Sequence, residues 1–349
     1  MAEFIGLGLT HYPPLAWPDE QMAGLLRWTL EDPDIPNDAK DPAIWSEQMQ
    51  EEWRDPTVAA SRHRQVLTDN LRKVRFRLEA FDPDVVIVWG DDQYENFRES
   101  VIPTFAVLAY EDREEKPWAD PRHDHPNVWD EPKDASFFIR SDRETAKRLV
   151  TGLITRHFDL AYAYEPLNQD VLPHAFLNTV LFLDYDRQGF PWPVIPFSVN
   201  CYGNRVISYR GSLSRFADRG RPLDPPGPSP ARCMSLGAAV VDTLSDLDLK
   251  VALVASASWS HAFLVDKTWR LTPATQADRS YYDHMVAGDY KALRRAKTEE
   301  LVENGQQEML NWFCLLGAME ALGHVPNWSD FVETSIFNSN KVFAEFAAP

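Results

Sequence analysis

The sequence predicts an α/β fold, in which a single domain has a mostly parallel or mixed central sheet, helices on both faces and an active site at the carboxyl edge. The apolar run "VVIVW" at Val85–Trp89 indicates a strand that is buried on both faces, as in a parallel sheet covered by helices. A helical pattern at Thr57–Phe81 comes before it, and an apolar strand at Phe4–Leu9 comes before that helix. Strand, helix and strand in this order are typical of parallel sheets.

The first half of the chain follows this order element by element. The strand Phe4–Leu9 brings Thr10 and His11 to its carboxyl end, and residues 17–56 form a polar, irregular excursion. In the helix Thr57–Phe81 the apolar residues share one stripe. That stripe consists of Val66, Leu67, Leu71, Val74 and Leu78. The polar turn after the buried strand contains Gly90, Asp91, Asp92, Gln93 and Glu95.

The second half continues to alternate helices and strands. Helices are predicted at about 142–156 and 231–244, and strands at 160–165, 193–202 and 250–258. Irregular loops are predicted at 111–134 and 205–230, and the chain after residue 261 has a helical pattern. Neither an internal repeat nor a clear boundary interrupts the 349 residues, so we expect one domain over 1–349.

Composition and charge exclude several classes of protein. The formal net charge is −18 and no block of Lys and Arg stands out, which argues against a nucleic-acid partner. The three cysteines form no CxxC motif, which argues against a disulfide framework and a thiolate zinc site. We find no signal-peptide pattern and no apolar run of membrane-spanning length, so we expect a cytoplasmic protein without a membrane partner.

Three histidines and one acidic turn lie at predicted strand ends. The histidines are His11, His174 and His261, and the turn is 91–95. Because the carboxyl ends of parallel strands share one edge, these residues can converge there. Histidine with carboxylates suits Fe(II), Mn(II) or Zn(II), and two histidines with one carboxylate are typical of non-haem Fe(II) oxygenases. A lone histidine is more often a hydrogen-bonded structural residue, so the combination carries the hypothesis.

Several stretches of the sequence together resemble a known superfamily. They are "GLGLTHYPPL", "VVIVWGDDQYENF" with "IPTFAV", "LPHAF", "VIPFSVNCY", "KVALVASASWSHAFLVD" and "NGQQEMLNW". In this order they resemble the class III extradiol dioxygenases, the superfamily of the protocatechuate 4,5-dioxygenase β subunit, and most of all its gallate and 3-O-methylgallate branch. The resemblance implies an Fe(II) enzyme that opens the ring of a catechol-type aromatic acid with O2. It also implies a homodimer or a small α-type partner subunit.

The resemblance assigns roles to individual residues. His11 resembles the first metal histidine, His261 the catalytic base and His174 a second active-site histidine that contacts the substrate. Gln93, followed by Glu95, falls where the second metal histidine is expected. The position of the metal glutamate falls on Gln276. Residues expected to line the substrate pocket are Trp89, Asp92, Tyr202 and Trp259, although aromatic residues beside a buried sheet edge are more often simple packing.

The two glutamines depart from the pattern of the superfamily. An amide is a weak neutral ligand, so both replacements together remove the anionic donor. Three explanations remain open: a rebuilt iron site, a different metal such as Mn or Zn, or no metal at all with loss of the dioxygenase reaction. A rebuilt site could use Asp92, Glu95, Asp266, Asp278 or His63. The alternative functions are a hydrolase or lyase acting on a related aromatic compound, and a non-catalytic binding protein.

Overall fold

The computed structural model describes residues 1–119, 126–202 and 224–347. The strands are β1 (Glu3–Leu9), β2 (Val85–Asp91), β3 (Phe105–Leu108), β4 (Arg113–Glu115), β5 (Phe137–Ile139), β6 (Ala161–Ala163), β7 (Val194–Val199), β8 (Lys250–Ser256), β9 (Trp328–Val332) and β10 (Lys341–Phe346). Eight of them form one sheet in the order β6-β3-β7-β2-β8-β1-β10-β9, and β4 pairs with β5 separately. The neighbours β7, β2, β8 and β1 run parallel, whereas β9 and β10 are antiparallel additions. The sheet is therefore mixed with a parallel centre, as predicted.

Helices cover both faces of this sheet. They are α1 (Asp19–Met22), α2 (Leu25–Leu30), α3 (Glu47–Arg54), α4 (Pro56–Phe81), α5 (Arg143–Thr155), α6 (His174–Leu183), α7 (Pro230–Leu244), α8 (Thr275–Val286), α9 (Tyr290–Leu293), α10 (Thr298–Glu303) and α11 (Met309–Leu322). On β2, Val85, Ile87 and Trp89 pack in the core that contains α5, α7 and α11. Val86 and Val88 point the other way, into the core that contains α4 and α6. None of the helices in the described part of the chain is long and apolar enough to cross a membrane.

Local sequence explains why the elements that support the site begin and end where they do. Asp55 caps α4 by accepting a hydrogen bond from the backbone of Val58, and Asp82 ends the helix in a left-handed conformation with φ of 49°. Gly8 lets α11 lie against β1, because a methyl group at Gly8 would come within 2.0 Å of the Trp312 ring. This close contact brings the amino end of α11 to the carboxyl end of β1.

The structure corrects two predictions about the order of elements. The prediction that the chain after residue 261 is helical is wrong for β9 and β10. Their pattern was hidden because β10 buries two charged side chains, Lys341 bonded to the carbonyl oxygens of Phe337 and Ser339, and Glu345 paired with Arg77. His174 does not follow a strand, as predicted, but begins α6, because Pro173 is the N-cap residue of that helix.

The segments predicted to be irregular contain some regular structure. Residues 17–56 include the short helices α1, α2 and α3, and residues 111–134 include β4. Most of the predicted loop 205–230 lies outside the described residues, which resume at Asp224. The long excursion after β1 therefore packs as short helices, with Met22, Leu26 and Met49 buried in the core on the α4 face.

Candidate metal centre

The centre of the site lies at the carboxyl ends of three neighbouring parallel strands. His11 follows β1, Asp91 is the last residue of β2, and Ser256 ends β8, which lies between them. Ligands in open α/β sheets bind outside this edge. Glu308 comes to the same place from the face of the sheet, because it is the N-cap residue of α11.

His11, Asp91 and Glu308 form a compact, buried group of potential metal ligands. Nε2 of His11 lies 3.7 Å from Oδ1 of Asp91 and 3.7 Å from Oε2 of Glu308. The ligand atoms of all three residues lie within 4.8 Å of one another, and no other set of His, Cys, Asp and Glu in the described ranges meets this criterion. Nδ1 of His11 lies 3.0 Å from the carbonyl oxygen of Ser256. Because a carbonyl can only accept, Nδ1 carries the hydrogen and the lone pair of Nε2 faces the carboxylates.

The charges of this group fit a divalent cation. Burial raises the pKa of Asp91 to about 6 and raises that of Glu308 well above its ordinary value. Oε2 of Glu308 is buried, and no residue in the described ranges donates a hydrogen bond to it. Burial also lowers the pKa of His11 far below the usual value, so its imidazole is neutral, as a metal ligand must be. One imidazole and two carboxylates without a thiolate suit Fe(II), Mn(II) or Zn(II).

The two carboxylates accept hydrogen bonds from neutral side chains. Nε2 of Gln93 donates to Oδ2 of Asp91 at 3.0 Å and to Oε1 of Glu308 at 3.1 Å. The hydroxyl of Tyr202 donates to the same Oε1 at 2.5 Å. Asn311, on α11, donates to Oδ1 of Asp91 at 3.4 Å. Gln93 and Tyr202, which the sequence predicted for the site, therefore do lie there, as donors to the carboxylates.

His261 lies beside the group as a neutral imidazole. Its Nδ1 is 3.0 Å from the carbonyl oxygen of Trp259, so Nδ1 is the donor and Nε2 holds the lone pair. Nε2 lies 3.3 Å from Oε1 of Glu308. Burial lowers the pKa of His261 to about 3. The backbone is fixed on both sides, because the nitrogen of His261 donates to Gly305 and the residue forms a β-bridge with Ser339.

His174, unlike His11 and His261, is protonated and positively charged. Its Nδ1 lies 2.9 Å from Oε2 of Glu95, and the same carboxylate accepts the backbone N–H of His174 at the start of α6. Burial lowers the pKa of His174, but the neighbouring Glu95 carboxylate raises it more, to about 9 overall. The rings of His174 and His11 are nearly perpendicular, with centroids 5.1 Å apart. Glu95, predicted near the metal, is thus the partner of His174 in this structure.

The remaining predicted site residues lie elsewhere. Gln276 is exposed in the first turn of α8, and the glutamate that meets His11 is Glu308. Asp92 accepts backbone hydrogen bonds from residues 95, 96 and 97 and so shapes the turn after β2. Trp89 and Trp259 are fully buried in the hydrophobic core.

The carboxylates and the histidine proposed for a rebuilt site also have other partners. Asp278 accepts hydrogen bonds from Ser260, Gln306 and Asn340. Asp266 pairs with Arg270, and His63 stacks on Phe337 with ring centroids 4.9 Å apart.

Sequence reasoning placed Asp91 in the acidic turn without singling it out as a ligand, and it missed Glu308, although each had a signal. Asp91 is the last residue of β2 and comes two residues after Trp89. Both side chains therefore point to the same face of the sheet, toward α11. Glu308 is the only carboxylate in "NGQQEMLNW", one of the stretches that carried the resemblance. Glu308 is therefore a candidate for the expected anionic donor, from a different segment than the one predicted.

An open cavity lies next to His174 and Glu95, and the space in and above it, open solvent included, is about 610 Å³. Trp17, Trp118 and Leu177 contribute apolar walls, and Asn178 contributes a polar one. Apolar walls with a few polar groups are typical of small-molecule sites. The cavity is therefore a candidate place for a small molecule next to His174.

The fold and the site define an α/β protein with a buried group of one imidazole and two carboxylates, a candidate metal centre, at the edge of its sheet. Residues 223–344 match the family described as the catalytic LigB subunit of aromatic ring-opening dioxygenase. This segment contains His261 and Glu308. The match supports the predicted resemblance to the extradiol dioxygenase superfamily, and the gallate branch stays a prediction.

Two curated proteins named 2,3-dihydroxyphenylpropionate/2,3-dihydroxicinnamic acid 1,2-dioxygenase are similar to this chain. The one from Photorhabdus laumondii subsp. laumondii is 22% identical over 254 residues, which cover 72% of this chain and 64% of the relative. The one from Comamonas testosteroni is 25% identical over 187 residues, which cover 54% of this chain and 46% of the relative. The chain thus spans about half to two thirds of the length of these relatives.

Proposed function

We propose that this protein is a non-haem Fe(II)-dependent extradiol dioxygenase that opens the ring of a catechol-type aromatic acid with O2. The observation that carries the proposal is the convergence of His11, Asp91 and Glu308 with His174 and His261 at one sheet edge, beside a cavity. The match to an aromatic ring-opening dioxygenase family and the names of the two relatives support it.

Bound Fe(II) would supply Lewis acidity toward the two diol oxygens and electrons toward O2. His11, Asp91 and Glu308 would hold it. His261 takes the proton of the substrate hydroxyl at Nε2, because its Nδ1 already donates to Trp259. Glu308 stabilises the imidazolium that results, since its Oε1 lies 3.3 Å from Nε2.

His174 has the complementary role. Its proton is retained by the Glu95 carboxylate, and with Nδ1 engaged by Glu95, Nε2 is the nitrogen available to the substrate. A protonated imidazole stabilises negative charge that develops on a substrate oxygen. The aromatic ring lies in the cavity, where Trp17, Trp118 and Leu177 exclude water from it.

The proposal is tested by O2 consumption. Protein stripped of metal by a chelator is reconstituted anaerobically with Fe(II) and mixed with a panel of catechol, protocatechuate, gallate and 2,3-dihydroxyphenylpropionate. We expect one O2 consumed per ring opened for at least one compound. Zn(II)-loaded protein is the matched control and should be inactive, because zinc has no redox chemistry. Stoichiometric iron without O2 uptake on any diol would contradict the proposal and favour a hydrolase, a lyase or a binding protein.

A further inference from the structure

Gln93 connects the two carboxylates of the metal centre. Its single amide nitrogen lies within hydrogen-bond distance of both, 3.0 Å from Oδ2 of Asp91 and 3.1 Å from Oε1 of Glu308. Both acceptors are carboxylate oxygens, which cannot donate when ionised, so the NH2 group and not the amide oxygen faces them. Its two hydrogens suffice for one bond to each carboxylate.

These bonds separate the oxygens of each carboxylate into an outer and an inner one. The outer oxygens accept from Gln93, and Tyr202 adds a second bond to the outer oxygen of Glu308. The inner oxygens, Oδ1 of Asp91 and Oε2 of Glu308, each lie 3.7 Å from Nε2 of His11. Oδ1 of Asp91 accepts one longer bond, from Asn311 at 3.4 Å. Each carboxylate therefore turns one oxygen toward the place where a cation would lie.

We propose that Gln93 is a positioning residue that holds Asp91 and Glu308 as ligands through one oxygen each, and so keeps coordination positions open for a two-oxygen aromatic substrate and O2. The inference rests on the proposed metal centre and adds a role for a residue that does not touch the metal. A metal of this kind takes about six ligand atoms in octahedral geometry. Three single-atom protein ligands leave about three positions open, whereas two chelating carboxylates would fill most of them.

The orientation of the Gln93 amide distinguishes a metal ligand from a hydrogen-bond donor to the two carboxylates. The superfamily resemblance placed Gln93 at a metal-ligand position, where its carbonyl oxygen would have to face the cation. In the structure the nitrogen end faces the carboxylates, so the side chain acts on their outer oxygens. Partners of this kind orient the ligands of many metal sites, and their loss typically lowers metal affinity about 10- to 100-fold.

Mn(II) is the probe for the test, because its affinity and its bound water are both measurable without turnover. The full chain is stripped of metal, and the Mn(II) Kd is obtained by competition with a chromophoric chelator. Water-proton relaxation then reports how many open positions on bound Mn(II) hold exchanging water. Gln93→Met keeps the length of the side chain and removes both donors. Gln93→Ala is a second variant that cannot overfill the site.

Gln65→Met is the matched control. The amide of Gln65 also donates to a carboxylate, Asp69, at 2.9 and 3.0 Å, but on the exposed surface of α4. We expect both Gln93 variants to raise the Mn(II) Kd about 10- to 100-fold, because the two carboxylates lose the partner that orients them. The relaxation per bound Mn(II) should fall, because the second oxygen of a freed carboxylate can displace bound water. The control should match the wild type in both measurements.

Two results would overturn the inference, and they are distinguishable. A Kd within twofold of the wild type and unchanged relaxation in both Gln93 variants would remove the role of Gln93 and leave the proposed function standing. A wild-type protein that binds neither Mn(II) nor Fe(II) would overturn the metal centre, and with it both the proposed function and the role of Gln93.

Discussion

Asp278 is a buried carboxylate beside the candidate site, and its contribution to the stability of the fold can be measured without any turnover. This buried residue of α8 accepts hydrogen bonds from the Ser260 hydroxyl at 2.5 Å, from Gln306 at 2.7 Å and from Asn340 at 2.8 Å. Ser260 precedes His261, Gln306 comes two residues before Glu308, and Asn340 precedes β10. One carboxylate therefore connects three separate segments around the candidate active site.

Burial raises the pKa of Asp278 from 3.8 to about 6, although its donors act in the opposite direction. Because the folded pKa lies above the unfolded one, the folded state holds this proton more tightly. The contribution of Asp278 to stability is then most favourable below pH 4 and falls as the pH rises through 6. The shift corresponds to about 3 kcal/mol in total, of which about 1.3 kcal/mol is lost between pH 5 and pH 7.

Asp278→Asn removes this titration while keeping the size of the side chain. We expect its free energy of unfolding, relative to the wild type, to rise by about 1.3 kcal/mol from pH 5 to pH 7. Urea unfolding of chelator-treated protein, followed by tryptophan fluorescence, measures it, and taking the difference cancels the other titrating groups. A difference that stays constant to within about 0.3 kcal/mol would refute the reasoning. Asp278→Ala should instead lose roughly 3–5 kcal/mol at pH 7, because it leaves the three donors unpaired.

Three further variants test the assignments at the metal centre. His11→Ala should bind no Fe(II) by elemental analysis and keep its far-ultraviolet circular dichroism; stoichiometric iron in this variant would contradict the ligand assignment. His261→Phe should keep its Mn(II) affinity and lose about 100- to 10,000-fold in kcat, since general-base catalysis contributes that much; turnover at the wild-type rate would make His261 structural. Gln276→Glu should leave the Fe(II) Kd within twofold, because the residue is exposed on α8; tenfold tighter binding would show that α8 contributes to the metal centre.

The elements that could be predicted are those whose burial produces a run of apolar residues in the sequence. β1, β2 and β8 are buried on both faces and form nearly unbroken apolar runs, so their positions and the parallel centre of the sheet followed directly. β10 is also fully buried, but it contains a lysine that donates to the backbone carbonyl oxygens of Phe337 and Ser339 and a glutamate that pairs with Arg77, far away in sequence. No local pattern reveals such partners, and the antiparallel edge of the sheet was therefore missed.

Some residues of the candidate site could likewise be predicted from local sequence, and others depend on tertiary contacts. His11 and His261 follow predicted strands, and the rule that strand ends meet at one edge was enough to expect them together. Glu308 depends on packing, because α11 lies against β1 where Gly8 has no side chain. The role of Asp91 depends on where β2 ends, because Asp91 is the last residue of the strand and not the first residue of the turn. Resemblance located the region of the ligands, and only tertiary contacts distinguished Asp91 from Gln93.

The contacts at the candidate site favour one distribution of protons if a divalent cation is bound there. Glu95 is neutralised by His174, and Asp91 and Glu308 would be neutralised by a divalent cation. His261 then has a free lone pair at Nε2, because its Nδ1 donates to the carbonyl oxygen of Trp259. In the proposed reaction a diol that binds through both oxygens loses protons, and Nε2 of His261, 3.3 Å from Oε1 of Glu308, is the acceptor. In the same proposal the second histidine, His174, stays protonated, because a second neutral base would leave the oxygen that becomes negative during ring opening without a cationic neighbour.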